Sequence, residues 1–515
     1  MQNADMILKN ANVVTMDHRH PTAEMVAIKG DKILSVANNG DLEQFKSPKT
    51  KVIDCDGRTV IPGFNDAHCH IFSSIRKALS LDLSPPLVDS IQDVKEAIYH
   101  RAKNTPKGEW IIGTDYNEFY LAEKRHPTRW NIDEVAPNHP VVLAHYSLHI
   151  CVLNSMALSL ANISIETQEP TDGLIDRDIN TGEPNGILFE MLTYVREKVL
   201  PPLKEEEIFR GIGLVDRQYL SQGITSLQDA TVSNNINRWQ MFHRLKDTDR
   251  LRSRMSMMFG VESLPQFQKQ GFTIGSGDSH IRLGGIKLML NETTGRLQPP
   301  QSEINKQALA AHKAGFQLAI HAVEQSCVEA AIAALEYVHS KLPRVDPRHR
   351  IEHCSHCPPQ LIRRLGDVKG IVVTQAPFIY YSGERYLATL PTDHVRWLYP
   401  VRSWLDNNVI VANSSDSPVV PNNPLIGIYA TITRRAETGQ QLPLEECTTA
   451  KEALAMNTIN AAFASFEENI KGSIIPGKLA DMVVLSDNPV TSPPERLKEA
   501  RVQMTIIGGQ VVWEE

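Results

Sequence analysis

Five side chains in this sequence have the type and placement to hold a metal ion. His68 and His70 close the run Val60-Ile-Pro-Gly-Phe-Asn-Asp-Ala-His-Cys-His70. Two residues apart on an extended strand, they project from the same face, so both imidazoles can meet one divalent ion. The spacing alone is a weak signal. His18-Arg-His20 repeats it in a polar turn with no strand before it, and reads as solvated surface. The first pair differs in the company it keeps. Phe316-Gln-Leu-Ala-Ile-His321 and Arg350-Ile-Glu-His353 each end in a histidine, and Val409-Ile-Val-Ala-Asn-Ser-Ser-Asp416 ends in an aspartate. Four imidazoles and one carboxylate make a nitrogen and oxygen donor set suited to zinc or a similar first-row ion. A purely structural explanation would have to place five polar groups independently at equivalent positions.

The elements that must position them repeat along the chain. Strand-like apolar runs occur at Thr59–Phe64, Gly223–Leu227, Arg254–Phe259, Ile281–Leu290, Phe316–Ile320, His349–Glu352, Ile371–Thr374 and Val409–Ala412. Stretches with helical spacing, such as Asn305–Ala314 and Gln325–Leu342, lie between them. Eight strands alternating with helices predict an α/β fold of the TIM-like (β/α)8 barrel type. The donors then fall at strand C-termini, where such barrels collect functional side chains. A doubly wound open sheet is the alternative, but no GxGxxG or Walker A pattern supports a nucleotide-binding version. One connection, after the first strand, is too long for a bare loop. Residues 71–210 are therefore expected to form an inserted subdomain roofing the active site. Both chain ends are rich in short β-branched runs with Gly and Asp punctuation. Residues 1–58 with 470–515 are expected to build one small β-sandwich domain, leaving 59–469 as the barrel.

Composition narrows the classes. The chain has 515 residues and a formal net charge of −7, which argues against a general nucleic-acid binder. Seven thinly spread cysteines do not read as a secreted disulfide scaffold. No signal peptide and no membrane-spanning run is legible, so a cytoplasmic location is expected.

The same residues carry a resemblance. The chain resembles the amidohydrolase superfamily over nearly its full length, through Val60–His70, His321, His353, Asp416 and Gly472-Ser-Ile-Ile-Pro-Gly-Lys-Leu-Ala-Asp-Met-Val-Val-Leu485. Within it, the chain is similar to the amidohydrolase 3 branch, which takes in YtcJ-like proteins and N-substituted formamide deformylases. The branch features are Pro127-Thr-Arg129, Ala136–Val142, His149–Ser155, Gly182–Glu190 and Arg350–His353. The resemblance implies that His68 and His70 bind one metal together with Asp416, and that His321 and His353 bind a second. It places Lys287 between the two ions, carboxylated on its side-chain nitrogen so that an anionic carbamate replaces the cation. An unmodified Lys287 paired with an acid, and a single-ion site, are the alternatives. The segment after Lys287, Asn291-Glu-Thr-Thr-Gly295, departs from the branch's usual Asp-Gly-Ser type.

The implied activity is hydrolysis of a C–N bond, in an amide or N-substituted formamide, by a metal-activated hydroxide with Asp416 as general base. A deaminase or an ester hydrolase would use the same parts, and a non-catalytic descendant would have lost ligands. The substrate is expected to be a small molecule, with Tyr116, His149, Phe378 and Tyr380 as candidate binding residues and a homodimer as the family-based expectation. Cys354-Ser-His-Cys357 has no second CxxC to complete a four-cysteine zinc site and is expected to pack as a loop. Lys204-Glu-Glu-Glu207 reads as a solvated helix start.

Overall fold

In the computed structural model, residues 3–147, 149–170, 173–293 and 295–515 are described. Eight strands form one parallel sheet in sequential order. They are β1 (Phe64–Cys69), β2 (Ile224–Asp229), β3 (Arg254–Gly260), β4 (Ile281–Leu288), β5 (Leu318–Ala322), β6 (Arg350–His353), β7 (Ile371–Thr374) and β8 (Ile410–Asn413). Nearly all of their residues are buried, as expected for parallel strands covered on both faces. Helices run between them. In Gln325–Lys341, Cys327, Val328, Ala331, Ile332, Leu335 and Val338 are buried, the three-and-four spacing of a helix laid against a sheet.

The sheet almost closes on itself. The backbone N–H of Asp416 bonds the His68 carbonyl at 2.9 Å, and that of His70 bonds the Ser417 carbonyl at 2.8 Å. Cys69 and Ser417 form a single parallel bridge. The last barrel strand is thus tied to the first through the residues that carry chemistry.

The expected first strand, Thr59–Phe64, divides into two. Thr59–Pro62 leaves the barrel and pairs antiparallel with Met482–Leu485. Gly63 intervenes, where a side chain would strike Thr225 Oγ1 at 2.1 Å, and β1 starts at Phe64. Pro62-Gly63 marks the break, but apolar residues on both sides made one run of it, because periodicity does not distinguish two short buried strands from one.

The terminal segments form two sheets. One is built from Met6–Lys9, Met25–Lys29, Lys32–Ala37 and Lys51–Asp54. The other combines Asn12–Val14, Thr22–Ala23 and Thr59–Pro62 with Met482–Leu485, Val502–Ile507 and Gln510–Glu514. Met6, Leu8, Val26 and Ile28 of the first share a buried apolar cluster with Val60, Met482, Val484 and Ile506 of the second.

The chain divides into two compact units, Met1–Ile71 with Ile212–Glu515, and Phe72–Gly211. The second has its own sheet of six strands, with Ile150–Leu153 and Val141–His145 at its centre. Separate apolar clusters contain Leu143 and Val152 on one side, and Val142 and Leu153 on the other, the alternation of a two-sided sheet. Among the described residues, no helix is long and apolar enough to cross a membrane.

Candidate metal centre

The ends of β1, β4, β5, β6 and β8 converge. Among the described residues, His68, His70 and Asp416 offer ligand atoms that all lie within 4.8 Å of one another. His70 Nε2 is 3.2 Å and His68 Nε2 3.6 Å from Asp416 Oδ1. The His353 ring centre lies 4.9 Å from that of His68, and the His321 ring centre 4.4 Å from that of His353. Lys287 Nζ is 3.4 Å from His68 Nε2. All six sequence-derived donor candidates are therefore gathered at one end of the barrel.

Two of them sit on unusual backbone. His353 has φ +69° and Asp416 φ +56°, in the left-handed region that L-residues seldom occupy. At the end of β6 this turn breaks strict alternation. Glu352 reaches His68, and yet the ring of the next residue also lies beside the His68 ring. Side chains held in such conformations cost about 1–3 kcal/mol each, a cost that recurs at functional positions.

Three of the four imidazoles are braced from behind. His68 Nδ1 meets Glu352 Oε2 at 2.5 Å, His70 Nδ1 meets Thr231 Oγ1 at 2.9 Å, and His353 Nδ1 meets Gln375 Oε1 at 2.7 Å. A hydrogen bond from Nδ1 to a carboxylate or amide oxygen, as at His68 and His353, favours the tautomer with Nε2 as a lone-pair donor, the arrangement a metal-ligating histidine needs. Glu352 is itself held by Arg350, through Nε to Oε1 and Nη2 to Oε2. Arg350 spends further N–H groups on Gln228 Oε1 and the Ala67 carbonyl, both at 2.6 Å. Asp229, at the end of β2, accepts from the Ile71 and Thr231 backbone N–H groups and so ties the segment after His70 to the neighbouring strand. Sequence reasoning missed Glu352, Arg350, Gln375, Thr231 and Asp229. The legible signal for two of them was a pair of charges at strand spacing, Arg350 and Glu352, in a strand otherwise expected to be buried.

The electrostatics fit neutral imidazoles beside an anion. Burial, with Lys287 adding to it, lowers His68 to a pKa of about 3. Burial also depresses His321 and His353. Burial works against ionisation of Asp416, but the His70 hydrogen bond and the nearby His68 and His353 outweigh it and hold the carboxyl well below its usual range. Burial is likewise outweighed at Glu352, by Arg350 first and then His68. Lys287 is lowered to about 8 by burial. Uncharged imidazole nitrogens and an ionised carboxylate are what a divalent cation requires, so the donor set fits such an ion.

The remaining candidates lie elsewhere. Tyr116 is buried in the Phe72–Gly211 unit, with its hydroxyl 3.1 Å from His126 Nδ1. His149 is in the same unit, exposed and paired with Glu190. Phe378 and Tyr380 are on the helix Pro377–Thr389 after β7, half-buried against Ile379, Tyr399 and Leu442. Cys354 and Cys357 are free thiols, both buried. The Cys69 thiol turns to the Gln228 carbonyl. Glu205–Glu207 stand in the first turn of helix Glu205–Ser221. Thr294, within the departure segment after Lys287, is outside the described residues.

A sequence profile described as the amidohydrolase family, Amidohydro_3, matches residues 51–513. The chain is 30% identical over 548 residues to an N-substituted formamide deformylase from Arthrobacter pascens, covering 100% of this chain and 99% of that protein. It is 26% identical to the putative amidohydrolase YtcJ of Bacillus subtilis, over 92% of each. It shares its fold with an uncharacterized metal-dependent hydrolase from Pyrococcus horikoshii, at a TM-score of 0.77 and 20% identity over 95% of this chain and 99% of that one. The chain belongs to the amidohydrolase family, metal-dependent hydrolases that act on carbon–nitrogen bonds other than peptide bonds.

Proposed function

We propose that this enzyme hydrolyses the C–N bond of a small amide, an N-substituted formamide being the favoured class. The observation that carries the reading is the convergence of His68, His70 and Asp416, with the two imidazoles braced at Nδ1 and turning Nε2 toward Asp416 Oδ1. The N-substituted formamide deformylase relative points to the substrate class.

His68, His70 and Asp416 would hold a divalent ion, with zinc favoured by the donor set. When bound, such an ion lowers the pKa of water and polarises a carbonyl. Asp416, ionised and at the centre of the cluster, takes the proton from the attacking water and returns it to the leaving nitrogen, so that a carboxylate and an amine are released. Glu352 and Gln375 keep His68 and His353 in one tautomer throughout. His321 and His353 are the side chains a second ion would draw on. Lys287 Nζ lies 3.4 Å from His68 Nε2, where a cation would compete with a metal. Its reaction with CO2, forming an N–C bond and releasing two protons from the ammonium, would convert that cation to an anionic carbamate.

The test is metal removal, zinc reloading and a panel of N-alkyl and N-aryl formamides and acetamides, with amine and carboxylate both quantified. Turnover of at least one member that depends on metal supports the reading. No turnover across the panel by fully loaded protein overturns it, and ammonia release from heterocyclic amines instead would move the enzyme to the deaminases. Asp416→Asn should lower kcat by about 10²–10⁴-fold while bound metal falls far less. Equal losses of both would leave Asp416 as a ligand and not the base.

A further inference from the structure

The barrel holds a second cavity, away from the donor cluster. About 200 Å³ of space, open to one side, lies between Gln228 of β2, Ser256 and Met258 of β3, Leu283, Gly284 and Gly285 of β4, and the starts of β5 and β6. None of the six donor candidates lines it. Barrel interiors are normally filled by layers of bulky branched side chains. Here that layer is supplied by serine, two glycines, glutamine and arginine, so space is left.

The inner wall is polar but already satisfied. Arg350 donates to Glu352, Gln228 and the Ala67 carbonyl. The Gln228 amide nitrogen donates to Asn65 and the Ala461 carbonyl, and that of Gln317 to the Arg348 and Ala464 carbonyls. The mouth differs. It is formed by the half-exposed Ile274, Gly275, Arg282, Ser465 and Phe466. The Arg282 guanidinium meets Glu467 only at 3.9 Å, while Glu467 is bonded to Lys471 at 2.8 Å. With Arg350 held by Glu352, and Glu467 held more closely by Lys471, Arg282 is the weakly paired cation of this lining. Met258, Ile274, Leu283 and Phe466 supply apolar wall beside it.

We propose that this pocket binds a small monocarboxylate with an apolar body, its carboxylate on Arg282 and its body against Met258, Leu283 and Phe466. A guanidinium fork matches a carboxylate in geometry and charge. An apolar cavity of roughly 150 Å³ suffices for benzene, so a molecule the size of benzoate fits the space.

Benzoate is the probe, titrated calorimetrically into the metal-loaded full chain. Benzamide, of equal shape and no charge, is the control. Arg282→Gln is the variant, chosen because Arg282 is partly exposed and weakly paired. Wild type should bind benzoate, with benzamide at least tenfold weaker. Arg282→Gln should bind benzoate at least tenfold more weakly, with metal content and unfolding midpoint unchanged. Absence of benzoate binding by wild type overturns the proposal. So does equal affinity for benzamide. Benzoate affinity unchanged in Arg282→Gln also overturns it, because the anion is then held elsewhere, as on the metal itself.

Discussion

Replacing Glu352 by Gln tests whether the back of the site matters as much as its front. Glu352 is fully buried between Arg350 and His68. The substitution keeps the shape and removes the charge. Its first consequence is on stability. Arg350 is also fully buried, and its other contacts, Gln228 Oε1 and the Ala67 carbonyl, are neutral. Breaking a buried ion pair from one side costs about 3–5 kcal/mol, because the remaining charge is left uncompensated. The second consequence is on metal affinity. A glutamine offers His68 Nδ1 a neutral amide oxygen in place of a carboxylate, a weaker acceptor whether or not Arg350 is present. Loss of such a bracing partner typically weakens metal binding about 10–100-fold, which is about 1.4–2.8 kcal/mol. The two effects separate in the double variant Arg350→Met, Glu352→Gln. Removing the stranded guanidinium should restore at least half of the lost stability, while metal affinity stays low. Urea midpoints of the metal-free protein give the first quantity, and competition with a chromophoric chelator gives the second. Metal affinity within threefold of wild type in Glu352→Gln would refute the reasoning, as would recovery of affinity in the double variant.

Three other expectations rest on separate parts of the molecule. His349 is buried against His312, with its Nε2 2.8 Å from His312 Nδ1, and burial first and then His312 lower its pKa to about 3. The unfolded chain, with an imidazole near 6.5, binds the proton more readily, so this contribution is complete above pH 6.5 and is lost as pH falls toward 3. Its share at pH 5 is a loss of about 2 kcal/mol, and the stability gap between wild type and His349→Asn should narrow by that amount between pH 7 and pH 5. Gly186 has φ +101°, and a β-carbon there would sit 2.5 Å from the Leu153 carbonyl oxygen, so Gly186→Ala should destabilise by more than about 1 kcal/mol in thermal unfolding. If Lys287 is a carbamate, ¹³C-bicarbonate should give a carbamate carbon signal in the wild type that Lys287→Met lacks, and an identical spectrum from both would restore the plain lysine.

How much of this was legible depended on which physical rule each residue obeyed. Strands and helices of the barrel showed through because their buried positions repeat with a simple period, as in Gln325–Lys341. The donors showed through because a histidine or aspartate at the end of an apolar run is out of place unless something uses it. Thr59–Phe64 misled because Thr59–Pro62 and β1 are both buried, and no polar residue marks the point where the chain passes from one sheet to the other. Candidate binding residues were the least legible. Phe378 and Tyr380 pack against their own helix neighbours and Tyr399, and nothing in an aromatic residue's identity separates that role from lining a pocket.

The bracing partners were hidden for a different reason, and it bears on how the site works. Glu352 touches His68 across 284 positions of sequence, and Thr231 touches His70 across 161. Such pairs are created by closing the sheet, not by any local pattern. The same closure brings Asp416, at the far end of the chain's last barrel strand, into bonding distance of the residues after its first. A donor set assembled this way cannot form in a partly closed barrel. Metal binding and barrel closure are therefore linked: an ion that binds only the closed form stabilises it by RT ln(1 + [L]/Kd), about 2.7 kcal/mol at a hundredfold excess over Kd. The left-handed residue Asp416 lies in that seam, and His353, also left-handed, ends β6 and joins it at the cluster in space. The strain at Asp416 is tolerated because the ladder bonds from Asp416 to His68 and from His70 to Ser417 hold the backbone in place, and at His353 the bond from the Cys354 N–H to the Ala322 carbonyl does the same, before any ion arrives.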